Sequence, residues 1–141
     1  MQLSSRHKKI LALAGLILTL GAINYYLFQN RILFFNLFSI GSPKIYYIQN
    51  KLTRYFITGY FSDITWCCAL YFVTIILAEI KYLHLSGKVI ILLLPFFLET
   101  AQYFHLLPGT FDWYDMLTYL LILIIFLKLY PSLRPFRYAK Q

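Results

Sequence analysis

Apolar residues in this chain gather into four blocks, at about residues 10–28, 64–80, 89–107 and 113–130, each bounded by aromatic, polar or charged positions. Every block approaches the roughly 20 residues that an α-helix needs to cross a hydrocarbon core at about 1.5 Å per residue. The pattern predicts an all-α membrane protein: a four-transmembrane-helix bundle forming a single integral membrane domain over residues 1–141. The first block follows the basic run Arg6-His7-Lys8-Lys9 and lacks a small-residue cleavage site before Asn24-Tyr25-Tyr26, so it reads as a retained signal anchor rather than a removed leader.

The connections differ in character. Residues 81–88 form a short loop that makes the second and third helices an antiparallel pair. Residues 29–62 are too aromatic for a solvated loop and break at Gly41-Ser42-Pro43. After that break Ile45, Ile48, Leu52 and Phe56 recur at spacings of three and four, with Lys44, Lys51 and Arg54 on another face. This is the pattern of an interfacial amphipathic segment between helices one and two. It serves either as a connector at the headgroups or as a lid, with Lys44, Lys51 and Arg54 as candidate contacts to lipid headgroups.

Composition supports the membrane reading: 60% of residues are hydrophobic and 13% charged, against about 25% charged in soluble proteins. The net charge of +8 is spread along loops instead of forming a basic face, which argues for anionic lipids and against nucleic acid as the partner. Nine of the cations, Arg6, Lys8, Lys9, Lys81, Lys88, Lys128, Arg134, Arg137 and Lys140, lie at helix ends that share one side, whereas Arg31, Lys44, Lys51 and Arg54 lie on the other. By the positive-inside rule the expected location is a cell membrane, multi-pass, with both termini cytoplasmic and residues 131–141 a basic cytoplasmic tail. The two cysteines, Cys67 and Cys68, are adjacent within a helix and are expected to fill space rather than pair.

The five acidic residues, Asp63, Glu79, Glu99, Asp112 and Asp115, all fall in or at the ends of predicted membrane helices. Glu79 is expected at the cytoplasmic interface near Lys81, and the other four toward the outside. Counting from Lys88, about 1.5 Å per residue puts Glu99 roughly 16 Å deep and Gln102 roughly 21 Å deep. An ionisable group near the bilayer centre is costly when left to lipid, so Glu99 should face the bundle, with Gln102 three residues on able to hydrogen-bond it. Asp63, Glu99, Gln102, Asp112 and Asp115 therefore make a candidate pocket. A structural alternative stands beside it: Asp112 with Asp115, and Ser62 with Asp63, suit the first turns of helices, and Glu99 with Gln102 suits an interhelical bond. Pro95, one turn before Glu99, removes a helix hydrogen bond near the same place.

The stretch Glu99–Tyr119, ETAQYFHLLPGTFDWYDMLTY, resembles the signature of the VanZ-like membrane proteins: a Glu-x-x-Gln pair ending one helix, a short loop, an aromatic-Asp turn and a further Asp opening the next helix. Glu99, Gln102, Phe111, Asp112 and Asp115 match it, and Tyr60-Phe61-Ser62-Asp63-Ile64-Thr65-Trp66 is similar to the aspartate and tryptophan that open an earlier helix in that family. Two positions depart from the pattern. Pro108-Gly109-Thr110 stands where members carry an arginine, leaving His105 or Arg54 as substitute counter-ions, and Tyr119 stands at an asparagine position. The resemblance implies a cell-envelope membrane protein with a link to glycopeptide (teicoplanin) resistance.

The leading expectation is accordingly a non-enzymatic protein that binds a lipid or lipid-linked cell-wall component in an outward-facing acidic pocket, without a metal or other cofactor. Alternatives use the same residues differently. One is a membrane enzyme acting on a lipid headgroup, with Glu99 as acid and Asp115 as base, or with carboxylates holding Mg²⁺ or Ca²⁺. Others are a proton path in a homo-oligomer and a small subunit bound to a membrane protein partner. The chain shows no serine or cysteine nucleophile beside a histidine, no HExxH and no phosphate loop.

Overall fold

A computed structural model describes residues 3–28, 50–107 and 111–134, and these residues are helical with no strand among them. Four main helices carry the fold: α1 (Ser5–Phe28), α3 (Phe61–Glu79), α4 (Leu85–Tyr103) and α5 (Trp113–Leu129). A short α2 (Lys51–Tyr55) leads through a π-turn (Phe56–Tyr60) directly into α3, and a 3₁₀ turn (Pro131–Leu133) follows α5. Three of these helices, α1, α3 and α4, are long and apolar enough to cross a membrane. At 17 residues, α5 is shorter.

Local chemistry explains the boundaries, several of which differ from those expected. Helix α1 starts five residues early because Ser4 caps it, its Oγ accepting the His7 N–H at 3.2 Å. Asn50 caps α2 in the same way, its Oδ1 accepting the Thr53 N–H at 3.2 Å. The second of the expected helices does not open at Asp63: Tyr60 precedes α3 with helical backbone angles, and the helical chain is unbroken from Lys51 to Glu79. Residues 51–60 are thus an extension of α3, while Lys44, Ile45, Ile48 and the Gly41-Ser42-Pro43 break lie outside the described residues.

Both α3 and α4 end in a Schellman turn. Lys81 (φ 58°) and His105 (φ 56°) take the left-handed position. The Tyr82 N–H then bonds the Leu77 carbonyl (2.9 Å) and the Leu106 N–H the Ala101 carbonyl (2.8 Å). That turn stops α4 at Tyr103 instead of the expected Leu107. At the far end, Leu133 in the 3₁₀ turn is fully buried against the core.

Helix α3 is central, touching α1, α4, α5 and the 3₁₀ turn. The most extensive interface is α1 on α3. Along α1 the inward residues are His7, Ile10, Ala14, Ile17, Gly21 and Asn24, alternating at three and four as in a left-handed helix pair. Gly21 lets the backbones meet, since a Cβ there would overlap the Thr65 hydroxyl. Asn24 closes the seam: its Nδ2 donates to the Ile57 carbonyl (2.8 Å) and to Ser62 Oγ (3.0 Å).

The α3–α4–α5 side is aromatic. Tyr119 meets Trp66 and Phe96 edge to face, and Phe126 meets Tyr71 and Phe72. Buried Tyr71 donates to the Leu92 carbonyl at 2.9 Å, one residue beyond the carbonyl that Pro95 leaves without its helix partner. Cys67 is buried and Cys68 half-buried, both as free thiols, consistent with their role as filler.

Contacts define two ends. At one, Glu79 accepts from Arg6 Nη2 (3.2 Å) and pairs with His7 Nε2 (3.1 Å), and it reaches Ser132 Oγ at 3.5 Å. Glu79 therefore joins the start of α1 to the end of α3 and the 3₁₀ turn, a role its expected place at the interface near Lys81 did not suggest. At the other end sit Asn24, Tyr60, Asp63, Glu99, Asp112 and Asp115.

Candidate functional site

Four acids from three helices converge at this second end. Asp63 lies in the first turn of α3, Glu99 in the last turns of α4, Asp112 at the N-cap of α5 and Asp115 in its first turn. The carboxyls are close enough for their charges to act on one another: Asp115 feels Asp63, Glu99 and Asp112, and Glu99 feels Asp63 and Asp112. The expected gathering of Asp63, Glu99, Asp112 and Asp115 is what the tertiary structure shows.

Their surroundings differ. Asp112 is satisfied twice, Oδ1 accepting the Tyr114 N–H at 2.9 Å and Oδ2 accepting the Tyr60 hydroxyl at 3.2 Å. It is a true N-cap, and its own N–H faces the Glu99 carboxyl. Asp63 does not cap: its carboxylate faces the indole N–H of Trp66 on the same helix, while neighbouring Ser62 serves the α1 seam, accepting from Asn24 and donating to the Gly21 carbonyl at 3.4 Å.

Glu99 is only 5% exposed, and its Oε2 has no hydrogen-bond partner. The buried Oδ1 of Asp115 has none either. Native interiors seldom leave such atoms unpaired, because each forfeits the hydration it had in water. Gln102 does not supply the missing bond: half-buried, its side chain makes no hydrogen bond to Glu99. The end of α4 in the His105 turn leaves the amide at the rim, so Gln102 belongs to the same end of the bundle without joining the acids.

No lysine, arginine or histidine among the described residues is one of the groups acting on Asp63, Glu99 or Asp115. His105 is exposed in its turn and is not one of the groups acting on Asp63, Glu99 or Asp115. Lys51 and Arg54 are exposed on α2, and Lys44 lies outside the described residues. No group of three or more His, Cys, Asp or Glu is arranged to hold a metal ion among the described residues.

Two tyrosines join the site without having been singled out for it. Tyr60 reaches Asp112 from the π-turn, where the wider helical turn is of the kind often found at functional positions. Tyr119, 2% exposed, lies within the field of Asp63, Glu99 and Asp115. Its place four residues after Asp115, on the same helical face, was the available signal.

Two openings flank the acids. A cleft of ≈ 240 Å³ between α1 and α3 is lined by Gly21, Ala22, Tyr25, Ser62, Asp63 and Trp66, among others. A more apolar groove of ≈ 440 Å³ runs between the π-turn and α5, past Phe56, Tyr60, Ile64 and Leu117. Comparison with known proteins gives no match to a family model, a curated protein or a solved structure.

Proposed function

We propose that this chain is a VanZ-like integral membrane protein of the cell envelope that crosses the bilayer four times and binds a lipid or lipid-linked cell-wall component at the acidic end of its bundle. Three helices have the length and apolarity of spans. In the fourth crossing, the 17 residues of α5 reach about 25 Å at about 1.5 Å each. Leu117, Leu120, Leu121, Ile124, Ile125 and Leu129 on that helix are exposed, as a lipid-facing surface would be.

The basic residues Arg6, Lys8, Lys9, Lys81, Lys88 and Lys128 cluster at the end opposite the acids, which supports cytoplasmic termini and an outer acidic site. The VanZ-like resemblance brings with it the link to glycopeptide resistance. Its residues Glu99, Asp112 and Asp115 are among those that the fold gathers with Asp63.

The observation that carries the reading is Glu99: a 5% exposed carboxyl with an unpartnered oxygen, among three other acids and with no cation acting on it among the described residues. An uncompensated acid inside a membrane helix is costly and usually marks a working site. The test is native mass spectrometry of the protein extracted with its own lipids, comparing wild type with Glu99→Gln and Asp115→Asn. A specific lipid adduct lost in both variants is expected. A wild type without any adduct, or an adduct indifferent to both changes, overturns the proposal.

A further inference from the structure

Resting on that reading, we infer that the group bound at the acidic end is a primary ammonium carried by an aminophospholipid headgroup, admitted through the cleft between α1 and α3, with Asp63 as its contact. Three observations meet here. Asp63, Glu99 and Asp115 act on one another, and no basic side chain among the described residues acts on any of the three. Glu99, nine-tenths buried, and Asp115 each hold an oxygen with no partner, and both lie within reach of the Asp63 charge. Of the four acids only Asp63 also lines the ≈ 240 Å³ cleft.

The cleft has the character such a headgroup requires. Asp63 offers a charged acceptor, and the rings of Trp66 and Tyr25 and the oxygens of Ser62 and Thr65 line the cleft beside it. Leu18 and Ala22 continue it along the exposed apolar flank of α1, where acyl chains of the surrounding bilayer would lie. A phosphate alone would be repelled by the four acids; an ammonium beyond the phosphate meets them with opposite charge.

The experiment uses the full chain reconstituted in phosphatidylglycerol vesicles containing equal fractions of phosphatidylethanolamine or its N-acetylated form, read by native mass spectrometry after gentle detergent release. Phosphatidylethanolamine should be retained about tenfold or more over the N-acetyl lipid, the effect of one charge-assisted hydrogen bond. Asp63→Asn should abolish that preference. So should Ala22→Trp, which fills the cleft from an exposed position and leaves the buried seam of α1 intact.

Free ethanolamine displacing the lipid would support the ammonium class and move its source to a soluble amine. Equal retention of the two lipids, or a preference unchanged in both variants, overturns the ammonium assignment while leaving a lipid-binding protein. Retention of no lipid at all by the wild type removes the underlying proposal as well.

Discussion

The Tyr60 hydroxyl donates to Asp112 Oδ2 at 3.2 Å, tying the π-turn that precedes α3 to the N-cap of α5. Because Asp112 also holds the Tyr114 N–H, one carboxylate fixes both the start of α5 and its distance from α3. Tyr60→Phe should lower stability by about 1 kcal/mol, and Asp112→Ala by more, since the cap is lost too. In the Asp112→Ala background the effect of Tyr60→Phe should be smaller than in the wild type, as measured by denaturant unfolding in detergent. Strict additivity would mean that the two side chains do not interact.

The contact of Gly21 with Thr65 makes a contrasting pair with Gly15 on the same helix. A methyl group at Gly21 would collide with Thr65, whereas one at Gly15 meets nothing within 4 Å. Gly21→Ala is expected to destabilise by about 1–3 kcal/mol and Gly15→Ala to be neutral or stabilising by up to about 1 kcal/mol. Thermal unfolding of the two variants side by side tests whether α1 packs on α3 in this register.

At the basic end, Arg6 and His7 contribute unequally to holding Glu79. The Arg6 side chain is 63% exposed and that of His7 15%. Arg6→Ala should therefore cost less than about 0.5 kcal/mol and lose its effect in high salt. His7→Ala should cost about 1 kcal/mol, for it removes a half-buried bond. Equal losses, equally salt-sensitive, would contradict this geometry.

Lys81 and His105 occupy left-handed positions that favour glycine. Lys81→Gly and His105→Gly should each stabilise by about 1 kcal/mol, as strain at Cβ is relieved. Both residues are exposed, so no packing is lost to mask the gain. Melting temperatures of the purified variants decide the point.

Glu99→Gln separates stability from binding. Replacing an unpartnered buried carboxyl among acids by an amide of the same shape should raise stability by about 1 kcal/mol. Loss of a bound lipid in a variant that melts later than wild type cannot then be a folding defect. A lower melting temperature would show that Glu99 is a structural member of the bundle.

Helix by helix, the four apolar blocks were legible because hydrophobic length is a local property: α1, α3, α4 and α5 coincide with them to within about five residues at each end. The boundary errors have local causes that pattern alone did not weigh, namely the Ser4 cap, the π-turn at Phe56–Tyr60 and the left-handed His105. The grouping of Asp63, Glu99, Asp112 and Asp115 was also readable, since antiparallel neighbours bring alternate helix ends together.

What each acid does was not readable. Asp112 and Asp63 have the same residue type and similar positions near helix starts, yet one caps and the other faces a cleft, because only Asp63 is preceded by further helix. Gln102 shares a helical face with Glu99 and still makes no bond to it, while Tyr60 and Asn24, distant in sequence, bind across helices. Span length and the side of the bundle on which acids and bases collect follow from the order of residues. Which polar atoms find partners, and that Glu99 keeps one oxygen without any, depends on how whole helices rotate and approach, and that was decided by the packing of Gly21 on Thr65 and of the aromatic residues around Tyr119 and Phe126.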